Sequence, residues 1–106
     1  MYNNENIVLC ASSAYEKKFF FNSDFEALPE QIKQELNILS VLYTEDIGGV
    51  LRLEFDDEGN LLLKTEVSED DFSFDEIGSA LKIKELRRNH KDLFESIELY
   101  FQTFFL

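Results

Sequence analysis

The strongest constraint on the fold lies in residues 51–67. Leu51, Leu53 and Phe55 alternate with Arg52 and Glu54, and after Asp57-Glu58-Gly59-Asn60 the alternation resumes, with Leu61, Leu63, Thr65 and Val67 set against Leu62, Lys64 and Glu66. A period of two puts the first set on one side of a pleated strand, and Asp, Gly and Asn are the residues a tight reversal requires. The segment therefore predicts a β-hairpin with one buried face, in which Gly59 or Asn60 takes the positive φ of the connection.

The flanking segments supply the rest of a fold. Ile7-Val8-Leu9-Cys10 is an apolar run of strand length, and Tyr15 to Phe21 is aromatic-rich, with Tyr15, Lys17, Phe19 and Phe21 on one face if it is extended. Asn22-Ser23-Asp24 reads as a turn, and Pro29 followed by Glu30 suits the first turn of a helix. Ile32, Leu36, Leu39 and Tyr43 then recur at helical spacing, with Ile38 and Leu42 widening the stripe, until Gly48-Gly49 stops it. From about Phe74 the chain reads as one long helix: Ile83, Leu86, His90, Leu93, Ile97, Tyr100 and Phe104 step by three and four, and Phe94 and Phe101 broaden the seam. The order ββαββα predicts a single α+β domain over residues 1–106, an antiparallel four-stranded sheet with the helices packed on one face. At 106 residues such a domain removes only about two thirds of the unfolded chain's surface from water. With 11 Phe and 4 Tyr it is nonetheless too apolar to remain disordered.

Charge is abundant and unevenly placed. The chain has 22 acids against 10 bases, a net −12 that repels phosphate backbones and anionic lipid, so neither nucleic acid nor membrane is an expected partner of the whole domain. Residues 54–76 carry −9, whereas residues 82–91 carry Lys82, Lys84, Arg87, Arg88 and Lys91 against Glu85. That basic stretch lacks the interleaved aromatics of a nucleic-acid surface. Two poles of this kind can pair within the chain or between subunits, or offer the acidic one to a basic partner.

Candidate chemistry is sparse. Asp56 to Asn60 has oxygen ligands and a glycine, but an EF-hand loop needs glycine at its sixth position and glutamate at its twelfth; here glycine is fourth and Val67 is twelfth. Glu69, Asp70, Asp71, Asp75 and Glu76 crowd the approach to a helix. Ser73 or Asp75 as N-cap explains part of that crowding, leaving a solvated loop, a docking surface or a divalent-ion site for the remainder. His90 is the natural general base by pKa, yet it sits in the helical seam and reads more simply as a packing residue. Cys10 lies inside an apolar run as an inert thiol. No phosphate-binding loop or nucleophile elbow occurs, so no catalytic, cofactor-binding or metal residue is assigned and no enzyme is expected.

The C-terminus points to association. Between Leu99 and Leu106 only Gln102 and Thr103 are polar, and a free end bearing Tyr100, Phe101, Phe104 and Phe105 must be held against something. The expectation is a non-catalytic protein-interaction module that forms a homodimer through its C-terminal helix, with Glu69, Asp70, Asp71, Asp75 and Glu76 available to a basic protein. An inhibitor of a basic partner, as in toxin immunity or nucleic-acid mimicry, is the alternative; small acidic secretion chaperones are a comparison by composition, and an enzyme using His90 is the remaining class. One cysteine permits no internal disulfide, Met1 to Asn6 is polar rather than a basic leader, and no apolar run approaches the ~20 residues that span a bilayer. These features fit a cytoplasmic protein.

The strings Ile7-Val8-Leu9-Cys10-Ala11, Tyr15 to Asn22, Leu28-Pro29-Glu30, Val41 to Gly49, Glu69-Asp70-Asp71 and Asp75-Glu76-Ile77-Gly78 resemble a small family of uncharacterised proteins from clostridia-type Gram-positive bacteria. The likeness covers nearly the whole chain. It implies a bacterial cytosolic domain of unknown function and carries no functional residue with it.

Overall fold

In the computed structural model, which describes residues 5–106, the chain runs β1 (Ile7–Ser13), β2 (Lys18–Phe21), a 3-10 turn (Ser23–Phe25), α1 (Glu30–Ile47), β3 (Val50–Phe55), β4 (Leu61–Glu66), α2 (Glu76–Asn89) and α3 (Lys91–Phe104). Of the polar N-terminal segment, residues 1–4 lie outside the described residues. The strands form one antiparallel sheet in the order β2-β1-β3-β4.

The hairpin forms as its alternation dictates. Phe55 pairs with Leu61, Leu53 with Leu63 and Leu51 with Thr65, which places these residues on the face beneath the helices. Asp56 builds the turn: its carboxylate accepts from the backbone N–H of Glu58 and of Asn60, each at 2.9 Å, and Gly59 takes the positive φ at +86°. A Cβ at Gly59 would also lie 2.6 Å from Cγ of Gln102, so the turn and the end of α3 can approach this closely only without one. β1 joins β3 with a bulge between Val8 and Cys10, and the extra residue lets Leu9 and Cys10 be buried in succession.

Two expectations change here. β2 starts only at Lys18, because residues 14–17 form a turn with Lys17 in the left-handed region at φ 55°; Tyr15 and Lys17 therefore do not share a strand face with Phe19 and Phe21. The long C-terminal helix is two helices. His90 leaves helical geometry at φ −120°, ψ 28°, ending α2 and starting α3. Asn89 and His90 are poor helix formers, while Arg87 and Arg88 in the last turn of α2 and Asp92 in the first turn of α3 suit a carboxyl end followed by an amino end.

α1 and α3 cover one face of the sheet. Leu36, Leu39 and Tyr43 from α1 and Phe94, Ile97 and Phe101 from α3 meet Leu9, Leu51, Leu53, Phe55 and Leu61 in a single core. Ile38 and Leu42, expected to widen the α1 stripe, instead stand more than half exposed. α2 leans on α1, where the Tyr43 hydroxyl and Ser79 Oγ share a buried 2.6 Å hydrogen bond and Lys82 pairs with Asp46 at 3.4 Å. Edge strand β4 is closed at its start: the Leu61 N–H donates to Glu98 Oε2 at 2.7 Å and Arg87 donates to the Leu61 carbonyl at 3.2 Å.

Candidate interaction surface

The acidic segment is largely used within the fold. Glu54 and Glu66 flank Arg52 at 2.9 and 2.6 Å on the sheet face opposite the helices. Burial pushes the Glu54 carboxyl up, but donation from Asn6 Nδ2 and the Arg52 guanidinium bring it net below its ordinary value. Past β4 the loop is fastened by Tyr15, whose hydroxyl donates to Asp71 at 2.6 Å and accepts from the Ser68 N–H at 3.0 Å. Ser73 adds two further donors to Asp71. These contacts, the tyrosine first, hold the Asp71 carboxyl below the usual carboxylate range and raise the Tyr15 phenol. Asp70 accepts from Ser68 Oγ, and Asp75 caps α2 by accepting from the Gly78 N–H at 2.9 Å. Of the five acids expected to dock a partner, Glu69 and Glu76 alone keep exposed carboxylates without such a contact among the described residues; Asp57 and Glu58 in the hairpin turn do likewise.

The four aromatic candidates cluster at the other end of β4, beside the hairpin turn, with different environments. Phe101 is core: its ring stacks on Phe55 at 4.1 Å and 7°, and on Phe105 at 5.2 Å and 4°. Phe105 also meets Phe25 at 4.9 Å. Tyr100 is half-buried against Phe104 at 5.1 Å, and Phe104 and Leu106 project into solvent. The length of β4, about 20 Å, separates this end from the acidic loop, so the two groups of candidates do not form one site.

α2 carries a surface that the reading of the sequence left as two unrelated features. Ile77, Leu81, Lys84 and Arg88 fall within about 60° of arc at i, i+4, i+7 and i+11, on the side away from Ser79 and Leu86. Ile77 and Leu81 are 76% and 63% exposed, and Lys84 and Arg88 have no acidic partner among the described residues, whereas Lys82 is paired with Asp46 and Glu85. The spacing alone could have exposed this stripe, since apolar and basic residues share it.

The groups with catalytic potential are differently placed. Cys10 is fully buried, and burial pushes its thiol up to about 12, so no thiolate is present at neutral pH. His90 lines an open groove of about 640 Å³ with Gln31, Glu35, Arg88 and Asp92; its ring lies 6.0 Å from Phe94, and no hydrogen bond joins it to a carboxylate among the described residues. A second hollow of about 550 Å³ lies between the β1–β2 turn and α1, rimmed by Lys17, Lys18 and Glu45. The hydroxyls of Ser12 and Thr44 line it, but they bond each other at 2.8 Å. Among the described residues no group of His, Cys, Asp and Glu is arranged to hold a metal ion, and no helix is long and apolar enough to cross a membrane.

Comparison with curated proteins and with solved structures gives no match. The model of one protein family, described as a family of unknown function (DUF6145), matches residues 6–106, which takes in every strand and helix described above, and the chain belongs to that family.

Proposed function

We propose that this chain is a non-catalytic interaction domain that works as a homodimer, associating through the helices of its last third. The observation that carries the reading is the apolar surface these residues leave in water: Phe72, Ile77, Leu81, Leu99 and Phe104 are each more than 60% exposed. Single exposed leucines are ordinary, but such side chains are concentrated beyond residue 71, on α2, α3 and the loop before α2, and exposed apolar surface of this kind suits a protein partner. The protonated Cys10 thiol, and His90 without a carboxylate hydrogen-bonded to it among the described residues, support a binding role over a catalytic one. Internal use of Asp70, Asp71 and Asp75 favours association over inhibition of a basic enzyme, because of the five acids before and at the start of α2, Glu69 and Glu76 are the two, among the described residues, that keep exposed carboxylates free of such contacts. A lone buried thiol fits a reducing cytosol. Sedimentation velocity from about 1 to 100 µM tests the reading at ordinary protein–protein affinities. A concentration-dependent dimer is expected, and a monomer throughout that range refutes it.

A further inference from the structure

The outward stripe of α2 has the layout of a self-complementary surface. Its amino end is preceded by Glu69 and begun by Glu76, with Asp70, Asp71 and Asp75 already bonded within the loop and cap; Ile77 and Leu81 occupy its first two turns, and Lys84 and Arg88 follow toward its carboxyl end. From this layout we infer that two copies pair their α2 helices antiparallel about a two-fold axis. Ile77 and Leu81 of the two copies meet near the axis, and each copy's Glu69 and Glu76 lie toward the other's Lys84 and Arg88. The inference rests on the homodimer reading above and names the surface that performs it.

Charge layout, closure and one exposed ring support a second copy as the occupant. Antiparallel helices related by a two-fold at the level of Ser79 set Ile77 of one copy opposite Leu81 of the other and, at about 1.5 Å per residue, carry Lys84 about 7.5 Å from the axis, past the partner's Glu76 and toward its lead-in, whereas a parallel partner sets acid on acid and base on base. The contact is isologous and closes as a dimer, leaving no unmatched end to recruit a third copy. Phe72, 91% exposed within the acidic lead-in, lies in this pairing on the side of the partner's Arg88, whose guanidinium suits an aromatic ring. The aromatic end at Phe104 lacks this complementarity, being flanked by Gln102 and Thr103.

Charge reversal tests the pairing in the full chain. The double variant Lys84→Glu/Arg88→Glu makes both ends of α2 acidic, and Glu69→Lys/Glu76→Lys places two bases at the amino end and takes its five acidic positions from −5 to −1; neither touches the Asp75 cap or a core residue. Each alone should raise the dimer Kd about 10- to 100-fold at about 0.1 M salt, and an equimolar mixture should recover a heterodimer near the wild-type Kd, because each altered lead-in again faces a base-to-acid complement. Leu81→Gln should weaken association without a charge change, and Phe20→Ser, at an exposed position of β2, should leave it unchanged; circular dichroism confirms that each variant is folded. A wild-type monomer defeats the homodimer reading and this inference with it. A wild-type dimer whose Kd ignores both charge reversals, or a mixture that forms no heterodimer, overturns the α2 pairing and leaves the homodimer standing.

Discussion

The amino end of α2 makes a quantitative test of whether the acidic segment serves the fold. Asp75 accepts from the Gly78 N–H, and a Cβ on Gly78 would sit 2.5 Å from Asp75 Oδ2 and 3.0 Å from its Cγ. Removing the cap with Asp75→Ala should cost about 1 kcal/mol. Replacing glycine by alanine inside a helix ordinarily gains about 1 kcal/mol. In the wild-type background, however, the new methyl displaces the capping carboxylate, so Gly78→Ala should be close to neutral: about 1 kcal/mol of propensity gained against about 1 kcal/mol of cap lost. In the Asp75→Ala background the obstacle is gone and the same substitution should recover its full gain. The cycle therefore predicts a coupling of about 1 kcal/mol, which shifts the melting temperature of a domain this size by roughly 4 °C. Urea unfolding followed by circular dichroism on the four proteins measures it. Equal stabilisation by Gly78→Ala in both backgrounds, within the ~0.3 kcal/mol expected of independent sites, refutes the cap as described.

The hairpin turn and the Asp71 contact give two further expectations. Gly59→Ala forces a side chain to φ +86° and a Cβ to 2.6 Å from Gln102, so it should destabilise the domain by about 1–3 kcal/mol in urea unfolding, and Gly59→Asn, which tolerates the left-handed region, should cost less than Gly59→Ala if backbone strain dominates over the crowding. Because Asp71 is held below its unfolded-state value, its contribution to stability is fully present above that unfolded value and is lost as pH falls through the folded one. The urea midpoint should therefore fall with pH below about 4, and Tyr15→Phe, which removes the first cause of the depression, should flatten that limb; an unchanged acid limb refutes the coupling.

What the sequence revealed and what it hid follow from the range over which each feature is encoded. The hairpin was legible because strand period and turn chemistry lie within one short window, and Leu36, Leu39 and Tyr43 were legible because a helix on a sheet buries a narrow stripe. Ile38 and Leu42 belong to the same apolar pattern but fall outside that stripe, and composition does not set its width. The break at His90 was concealed by a three-four spacing that continues through it, although Arg87 and Arg88 before it and Asp92 after it carry the charge signs of two helix ends. Tyr15 was assigned to a strand face when its role is to reach Asp71, 56 residues away, a contact no local window contains. At the aromatic end, Phe101 and Phe104 are the same residue three apart, and only the position of Phe55 and Phe25 makes one core and the other surface.

The net charge of −12 and the proposed pairing act on association in opposite directions, and ionic strength separates them. Two copies repel as whole molecules over tens of ångströms when salt is dilute, since the Debye length is ~30 Å at 0.01 M, whereas the α2 contacts attract across a few ångströms. Raising salt to about 0.1 M shortens that length to ~10 Å, which quenches the long-range repulsion while close pairs at the interface still feel each other. Near 1 M, at ~3 Å, the pairs are screened too. The dimer should therefore tighten on going from dilute to moderate salt and loosen again at high salt, and the loosening should vanish in Lys84→Glu/Arg88→Glu, whose ends repel rather than attract. Sedimentation equilibrium across the series reads both limbs. A Kd that keeps falling to 1 M salt in the wild type would place the whole interface on Ile77, Leu81 and their apolar neighbours and remove the charged ends from the account.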